Sequence, residues 1–455
     1  MQQFDVIVLG GGPGGYLCAE RAQEKGFRTA LIEERALGGT CLNEGCIPTK
    51  SLLYCAKQYD HALHSADCGV TAENVRFDQR VAVERKDRVV TTLVRGVGAT
   101  MKAKGVTVFS ARGTILGKEG EIISVQAGDE VLQAKRLVIA TGSEASVPPI
   151  TGVKEGLASG FVMTNREILA LKELPKSLCC IGGGVIGLEM ACYFAAVGVK
   201  VTVVEMLPKI AGATDPEICD ILMKTYKKQG MTFLLSTSVK AITETGVEVE
   251  ANGEKQVIPC DKVLLSAGRR AVTRGFGLET LGVATERPGI VVDEHLQTNV
   301  PGVYAIGDCN GKLMLAHTAY REAEVAVNHM AGIKDRIDYS IIPSVIYTTP
   351  EVASVGETEQ SAKDKGLQVK VVKAPMRMSG RYLAENPRGD GFCKLIYDTK
   401  NKRLVGAHMV GAYCSEMIYG AAMMVQSKLP LEHLNKIVFP HPTVAEVVRE
   451  ALFMI

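Results

Sequence analysis

Phe4–Arg35 reads FDVIVLGGGPGGYLCAERAQEKGFRTALIEER, and Lys176–Leu207, 172 residues further on, reads KSLCCIGGGVIGLEMACYFAAVGVKVTVVEML. Each segment runs from an apolar strand into a glycine cluster, through a helical stretch to another glycine (Gly26 or Gly198), and into a second apolar strand ending in glutamate, Glu33 or Glu205. This is a strand–helix–strand unit written twice. The glycines keep G-x-G-x-x-G spacing both times: Gly10, Gly12 and Gly15, then Gly182, Gly184 and Gly187. In such a set the first glycine permits the tight turn out of the strand. The second lets a pyrophosphate approach the backbone, and the third lets helix and strand pack closely. The helix start offers unpaired N–H groups to phosphate, and the terminal acid can accept from a ribose 2′-hydroxyl. One copy of the spacing is weak support, because structural glycines in a strand-to-helix turn also produce it. Two copies, each followed at the same distance by an acid, indicate two dinucleotide sites and suggest two different dinucleotides. Glu205 would repel the 2′-phosphate of NADP. Met206 and Leu207 offer that phosphate no cation, and Lys209, just past the strand, is expected to be solvated. NAD is the nicotinamide expected at the second site.

At 455 residues the chain is too long for one core, and about three domains are expected. Hydrophobic residues make up 46% and charged residues 22%, with a net charge of +2 and the two signs interleaved. No clustered basic face is offered to nucleic acid. Met1–Leu9 lacks the basic start of a signal peptide and is interrupted by Asp5. The longest apolar stretch, Leu178–Val204, is broken by Gly182, Gly183, Gly184, Glu189 and Lys200. No membrane span is therefore expected, and the expected compartment is cytoplasmic. The 13 cysteines are odd in number and scattered, unlike a secreted disulfide framework. Most should be small buried hydrophobes, with Cys179 and Cys180 on opposite faces of a buried strand.

Two cysteines stand apart from these, in Gly38–Lys50, GGTCLNEGCIPTK. On a regular helix, residues five apart sit about 8–9 Å from each other, and a disulfide needs a Cα separation below about 7 Å. Gly45 and Pro48 are expected to loosen or break the helix here, which makes a bridged loop feasible. Near a helix start the dipole lowers a thiol pKa. Two core cysteines, or half of a metal site, are the other readings. A metal site wants two further ligands at short spacing and none follow. The spacing favours a redox pair, Cys41 and Cys46, and leaves the core reading open.

The double repeat followed by this stretch resembles the FAD-dependent pyridine nucleotide–disulfide oxidoreductases, and among them most resembles the dihydrolipoyl dehydrogenases. The likeness runs along essentially the whole chain. It includes ATGS at Ala140–Ser143, TNVPGVYAIGD at Thr298–Asp308, YTTPE at Tyr347–Glu351 and FPHPTVAE at Phe439–Glu446. Thr49 stands where serine is usual, and a hydroxyl is retained. The resemblance implies that Gly10, Gly12, Gly15 and Glu33 hold the ADP half of FAD. It implies that Gly182, Gly184, Gly187 and Glu205 hold NAD, with Thr141, Gly142, Ser143, Gly268, Asp308, Leu315 and Ala316 completing the cofactor sites. Asp308 would hydrogen-bond the ribityl chain, although an acid at a strand end also serves as a helix cap. The helix after Leu315-Ala316-His317 would aim its N-terminus at the flavin pyrimidine.

By the same resemblance Cys46 is the flavin-proximal sulfur and Cys41 the one that exchanges with substrate. Lys50 lies near flavin N5 and pairs with Glu189, whose other reading is a solvated helix residue. His441 and Glu446 resemble the family's catalytic dyad. Imidazole titrates near neutral pH and can carry the substrate thiol's proton, while an acid fixes its tautomer. The family sets this dyad against the cysteine pair of the other subunit, so a homodimer with shared active sites is expected.

The implied activity is oxidation of dihydrolipoyl groups to the disulfide, with NAD+ reduced to NADH through the Cys41–Cys46 disulfide and FAD. The implied partner is a lipoyl-bearing protein of a 2-oxoacid dehydrogenase or glycine cleavage complex. The alternative is an NAD(P)H-dependent FAD enzyme reducing another low-molecular-weight disulfide. Glutathione-type reductases usually use NADPH, against Glu205. Mercuric reductases carry a C-terminal cysteine pair that Ala451–Ile455 lacks. A non-enzymatic dinucleotide-binding subunit would not need Cys41, Cys46, Lys50 and His441.

The expected fold is α/β, with two Rossmann-like dinucleotide-binding domains (FAD and NAD) and a C-terminal α+β dimerisation domain. The expected divisions are an FAD domain at 1–145, an NAD domain at 146–267, a segment at 268–334 returning to the flavin, and an interface domain at 335–455. Strands are expected at Ile341–Tyr347 and Cys393–Tyr397 in the last.

Overall fold

The computed structural model describes residues 1–287 and 289–455. The first repeat forms strand β1 (Gln2–Leu9), helix α1 (Pro13–Glu24) and strand β2 (Thr29–Glu33). β1 lies inside a seven-stranded sheet, parallel to β2 on one side and to Glu130–Ile139 on the other. Thr107–Ser110 extends the sheet beyond β2, and Ile122–Ala127 and Gly113–Glu119 add an antiparallel flank. A parallel sheet covered on both faces needs an unbroken apolar run. Val6 to Leu9 are all buried, with Ile7 and Leu9 in one core and Val6 and Val8 in the core across the sheet.

The chain leaves this sheet after Ile139 and rejoins it at Val303–Ala305, which pairs with Leu137–Ile139. The second repeat lies between these points. Its five-stranded parallel sheet runs Thr232–Leu234, Lys200–Val204, Ser177–Ile181, Lys262–Leu265, Val162–Met163. Cys179 and Cys180 are fully buried and belong to different cores, as neighbours on one strand must. Where the chain crosses out and back, Ser143–Ala145 pairs antiparallel with Arg269–Ala271. That crossing brings the ATGS stretch beside Gly268.

The C-terminal part is a five-stranded antiparallel sheet in the order Ser344–Ile346, Glu351–Gly356, Arg403–Gly411, Phe392–Asp398, Val369–Pro375. Helices Cys414–Ser427 and Glu446–Phe453 share its core. The strand expected over Ile341–Tyr347 is shorter: Tyr339–Ile341 is a 3₁₀ turn, and pairing starts only at Ser344, past Pro343, which has no N–H to give. The other expected strand extends one residue further at each end, as Phe392–Asp398.

One apolar cluster joins the three parts. It contains Leu52 and Ala56, residues of the helix Val185–Ala196, and Phe392 and Val410 of the C-terminal sheet. A three-charge cluster adds orientation: the buried Lys394 Nζ lies 2.8 Å from the buried Asp215 and 2.7 Å from the half-exposed Glu217, at the start of helix Pro216–Lys228. Among the described residues no helix is long and apolar enough to cross a membrane, and no group of three or more His, Cys, Asp or Glu is placed to hold a metal.

Candidate active site

The two glycine turns repeat down to single hydrogen bonds. Gly10 N–H donates to Ile32 O at 2.9 Å and Gly182 N–H to Val204 O at 2.8 Å. Gly11 N–H donates to Glu33 Oε2 and Gly183 N–H to Glu205 Oε2, each at 2.7 Å. Gly10 has φ +108° and Gly182 +107°, where a side chain is strained. A Cβ at these positions would also stand 2.3 Å from Ala140 O and 2.5 Å from Ser266 O. At Gly15 and Gly187 a Cβ would strike the carbonyls of Gly10 and Gly182, at 1.8 and 2.1 Å. The middle glycines differ: a Cβ at Gly184 meets nothing within 4 Å, and one at Gly12 first meets Gly39 at 3.8 Å. Among the described residues nothing fills that space. The helices that follow, α1 and Val185–Ala196, begin at these glycines without a side-chain cap, so first-turn N–H groups stay free for an anion. The fit to two dinucleotide pyrophosphates is good. Lys209 is not simply solvated as expected: its Nζ donates to Thr214 O at 3.2 Å.

Both turns open on one cavity of about 2400 Å³, well beyond the roughly 300–1,000 Å³ of a single-ligand pocket. Gly10, Gly12 and Glu33 line it from the first turn, and Gly182, Gly184 and Glu205 from the second. Thr141, Gly142, Ser143, Gly268, Asp308, Leu315 and Ala316 line it from the crossing segments, and Cys41, Cys46, Lys50 and Glu189 complete it. Gly15 and Gly187 sit behind the turns, as their packing role requires. Helix Ala316–Met330 begins without a side-chain cap, at the cavity wall.

The cysteine stretch forms two helices, α2 (Gly39–Glu44) and α3 (Cys46–Leu63), divided by Gly45 at φ −143°, ψ −109°. Gly45 alone makes the break. Pro48 lies in the first turn of α3, where a missing N–H costs nothing. The break sets Cys41 and Cys46 on one wall of the cavity, close enough for each to shift the other's acidity. Their acidities separate sharply. Cys46 is lowered to about 7, chiefly by the neighbouring Cys41 thiol and further by the Lys50 ammonium. Cys41 is pushed well above the usual thiol range by its Cys46 neighbour and by burial. The direction favours ionisation at Cys46 over Cys41.

Lys50, one turn along α3, reaches Glu189 at 2.8 and 3.0 Å. Glu189 is not solvated: it is 4% exposed, on a helix buried from Gly187 to Phe194. A charge so placed needs its partner. Asp308 does not cap a helix; it accepts from Ser143 Oγ. Arg269 braces the same place, donating to Ser143 Oγ and Ser143 O at 2.7 Å each. Beneath it, the buried carboxylate of Glu322 accepts from Gly307 N–H, from Asn310 Nδ2 at 2.9 Å and from Tyr339 OH at 2.7 Å. Burial raises its pKa despite these donors.

Sequence reasoning missed Arg269 and Glu322. Arg269 had a signal, its position directly after Gly268; Glu322 had none. Tyr16 and Tyr320, whose hydroxyls touch beside Cys41, were missed as well.

His441 Nδ1 lies 2.9 Å from Glu446 Oε1, and Thr443 N–H donates to Glu446 Oε2 at 2.9 Å. These contacts hold the Glu446 carboxyl below its usual pKa, the Thr443 N–H contributing most. The His441–Pro442 bond is cis. The His441 side chain is 79% exposed and lines no part of the cavity. A single chain therefore does not bring the dyad to Cys41.

Residues 4–323 match the pyridine nucleotide-disulphide oxidoreductase family, and residues 342–452 match its dimerisation domain. A dihydrolipoyl dehydrogenase of Chlamydia muridarum is 38% identical over 100% of this chain and 97% of its own. A mitochondrial dihydrolipoyl dehydrogenase of Pisum sativum is 39% identical over 98% of this chain and 90% of its own. Among solved structures, the HOCl-induced flavoprotein disulfide reductase RclA of Escherichia coli, as its Cu(II) complex, superposes with TM-score 0.87 at 28% identity over the full length of both chains. LpdA of Mycobacterium tuberculosis shares the fold at TM-score 0.90, with 23% identity over 100% of this chain and 99% of its own. FAD and NAD(H) are the cofactors of such proteins, and the two turns described above suit both. A doubled nucleotide turn, a thiol pair between its halves and a match spanning both parts of the family place this chain among the pyridine nucleotide-disulphide oxidoreductases.

Proposed function

We propose that the chain is a dihydrolipoyl dehydrogenase: it oxidises dihydrolipoyl groups to the disulfide and reduces NAD+ to NADH. The supporting observation is the placement of Cys41 and Cys46 on either side of a helix break, with Lys50 one turn on, inside a cavity shared by both nucleotide turns. Bound FAD would accept electrons from sulfur and return them as hydride to the nicotinamide. Glu33, Ser143 and Asp308 would hold it, and Glu205 would hold the NAD ribose.

The chain's own residues account for the dithiol steps. His441 of the partner subunit takes a proton from one substrate thiol. That thiolate attacks Cys41 of the oxidised pair, and Cys46 leaves as a thiolate facing Lys50 and the free N–H groups of α3. The second substrate thiol, its proton passing to the departing Cys41 sulfur, attacks the substrate sulfur of the mixed disulfide, releasing the substrate as its disulfide and Cys41 as the thiol. Glu446 orients the imidazole throughout. This scheme needs a homodimer with shared active sites, and its physiological substrate is a lipoyl group on a protein of a 2-oxoacid dehydrogenase or glycine cleavage complex. The divisions at 145, 267 and 334 then separate the FAD, NAD, returning and interface units of a cytoplasmic enzyme.

Anaerobic dihydrolipoamide should produce a long-wavelength thiolate-to-flavin absorbance, lost in Cys46→Ser, and His441→Gln should slow dithiol turnover by about 10²-fold or more. Reduction by NADH but not by dihydrolipoamide would instead favour a reductase of some other small disulfide.

A further inference from the structure

The Lys50 ammonium is held from two sides. Glu189 takes it through both carboxylate oxygens, and the face of the Tyr347 ring lies 4.4 Å from it. Tyr347 reaches the carboxylate as well: its main-chain N–H donates to Glu189 Oε1 at 2.9 Å. One residue, just past strand Ser344–Ile346 of the C-terminal sheet, therefore touches both members of an ion pair built from two other parts of the chain.

Within one chain the charged and titratable groups facing Cys46 are Cys41, Lys50, Glu189, Arg269, Tyr320 and Tyr347, and the proposed homodimer adds His441 of the partner subunit on the Cys41 side. Lys50 and Arg269 are the cations, and Arg269 is already committed to Ser143 and Asp308. The field that favours the Cys46 thiolate thus depends on where Lys50 sits. Glu189 pulls against it, since its negative charge disfavours the thiolate. The Tyr347 amide answers part of that charge, and an aromatic face attracts an ammonium without neutralising it.

We propose that Tyr347 is a positioning residue: its ring and main-chain N–H seat the Lys50–Glu189 pair beside Cys46, and so set how readily Cys46 reacts as a nucleophile. The proposal rests on the reading of Cys46 as the flavin-facing thiolate.

The test uses the reduced holoenzyme as wild type, Tyr347→Phe and Tyr347→Leu. Alkylation of Cys46 by iodoacetamide is followed across pH by mass spectrometry of its peptide. Phenylalanine keeps the ring and should titrate like wild type. Leucine should raise the midpoint by about half a pH unit or more, slowing alkylation about threefold below the midpoint. A leucine variant with the wild-type midpoint, or a phenylalanine variant shifted as far as leucine, would overturn the proposal. If leucine sheds flavin, the same order of midpoints is required with all three proteins stripped of it. Failure of the parent reading shows separately, as a wild-type protein without the long-wavelength band, and alkylation does not depend on that band.

Discussion

The two nucleotide turns share their backbone and differ in what surrounds them. After Glu33 the chain runs directly into α2 and α3, setting two cysteines and Lys50 beside the first turn. After Glu205 it runs to Asp215 and the helix Pro216–Lys228, whose acids bind Lys394 of the C-terminal sheet. The helices leaving the turns diverge as well. α1 keeps Glu20, Arg21 and Glu24 at its surface. Its counterpart is buried from Gly187 to Phe194, with α3 packed against it, and its one acid there, Glu189, is paired with Lys50. The shared turn specifies a pyrophosphate seat. The segments that follow it decide whether the seat serves sulfur chemistry or nicotinamide exchange.

The strongest way to break this comparison is to fill each middle glycine. Gly12 and Gly184 have φ of −71° and −79°, which any residue adopts, and almost nothing in the protein stands where their Cβ would be. Gly184→Val should change the stability of the unliganded fold by less than about 1 kcal/mol. It should keep the yellow colour and weaken NAD binding by about 100-fold or more, read by calorimetric titration. Gly12→Val should give colourless protein. The reverse pattern would exchange the nucleotides between the turns.

A smaller effect should follow from Glu205→Ala. Both carboxylate oxygens already brace the turn, through Gly183 N–H and Leu207 N–H at 2.7 and 2.8 Å. The same charge would oppose a 2′-phosphate. The alanine variant should lose roughly 10–100-fold of the preference for NADH over NADPH in kcat/KM. An unchanged ratio would leave Glu205 as a turn brace only.

The smallest change needs no substitution. The Cys46 thiol is lowered to about 7, so its thiolate predominates above that pH and is lost as pH falls through it. Dithiol turnover should therefore decline below pH 7, towards tenfold per unit. NAD binding at the second turn, where no cysteine takes part, should stay level across the same window. A parallel decline in both would mean that the two regions titrate together.

Much of this was legible in the chain because it is local. The strand-to-helix turns, the acids at the strand ends and the four-residue step from Cys46 to Lys50 follow from backbone geometry over a few residues. The adjacent cysteines Cys179 and Cys180 face opposite cores for the same reason. The helix break was legible only in part, because Gly45 and Pro48 look equally disruptive until the helix start is known. Glu322 under the Asp308 loop and Tyr347 over Lys50 had to wait for the fold.

By itself, the sequence determined two nucleotide turns, a cysteine pair placed between them, and a histidine–glutamate pair five residues apart. Tertiary structure alone decided that Glu189 is buried and answers Lys50, that the surroundings favour ionisation at Cys46 over Cys41, and that the His441–Glu446 pair lies away from its own chain's cavity. Short-range geometry needs only neighbouring residues. The ionisation of a buried group depends on charges and solvent exclusion supplied by segments that meet only when separate sheets pack.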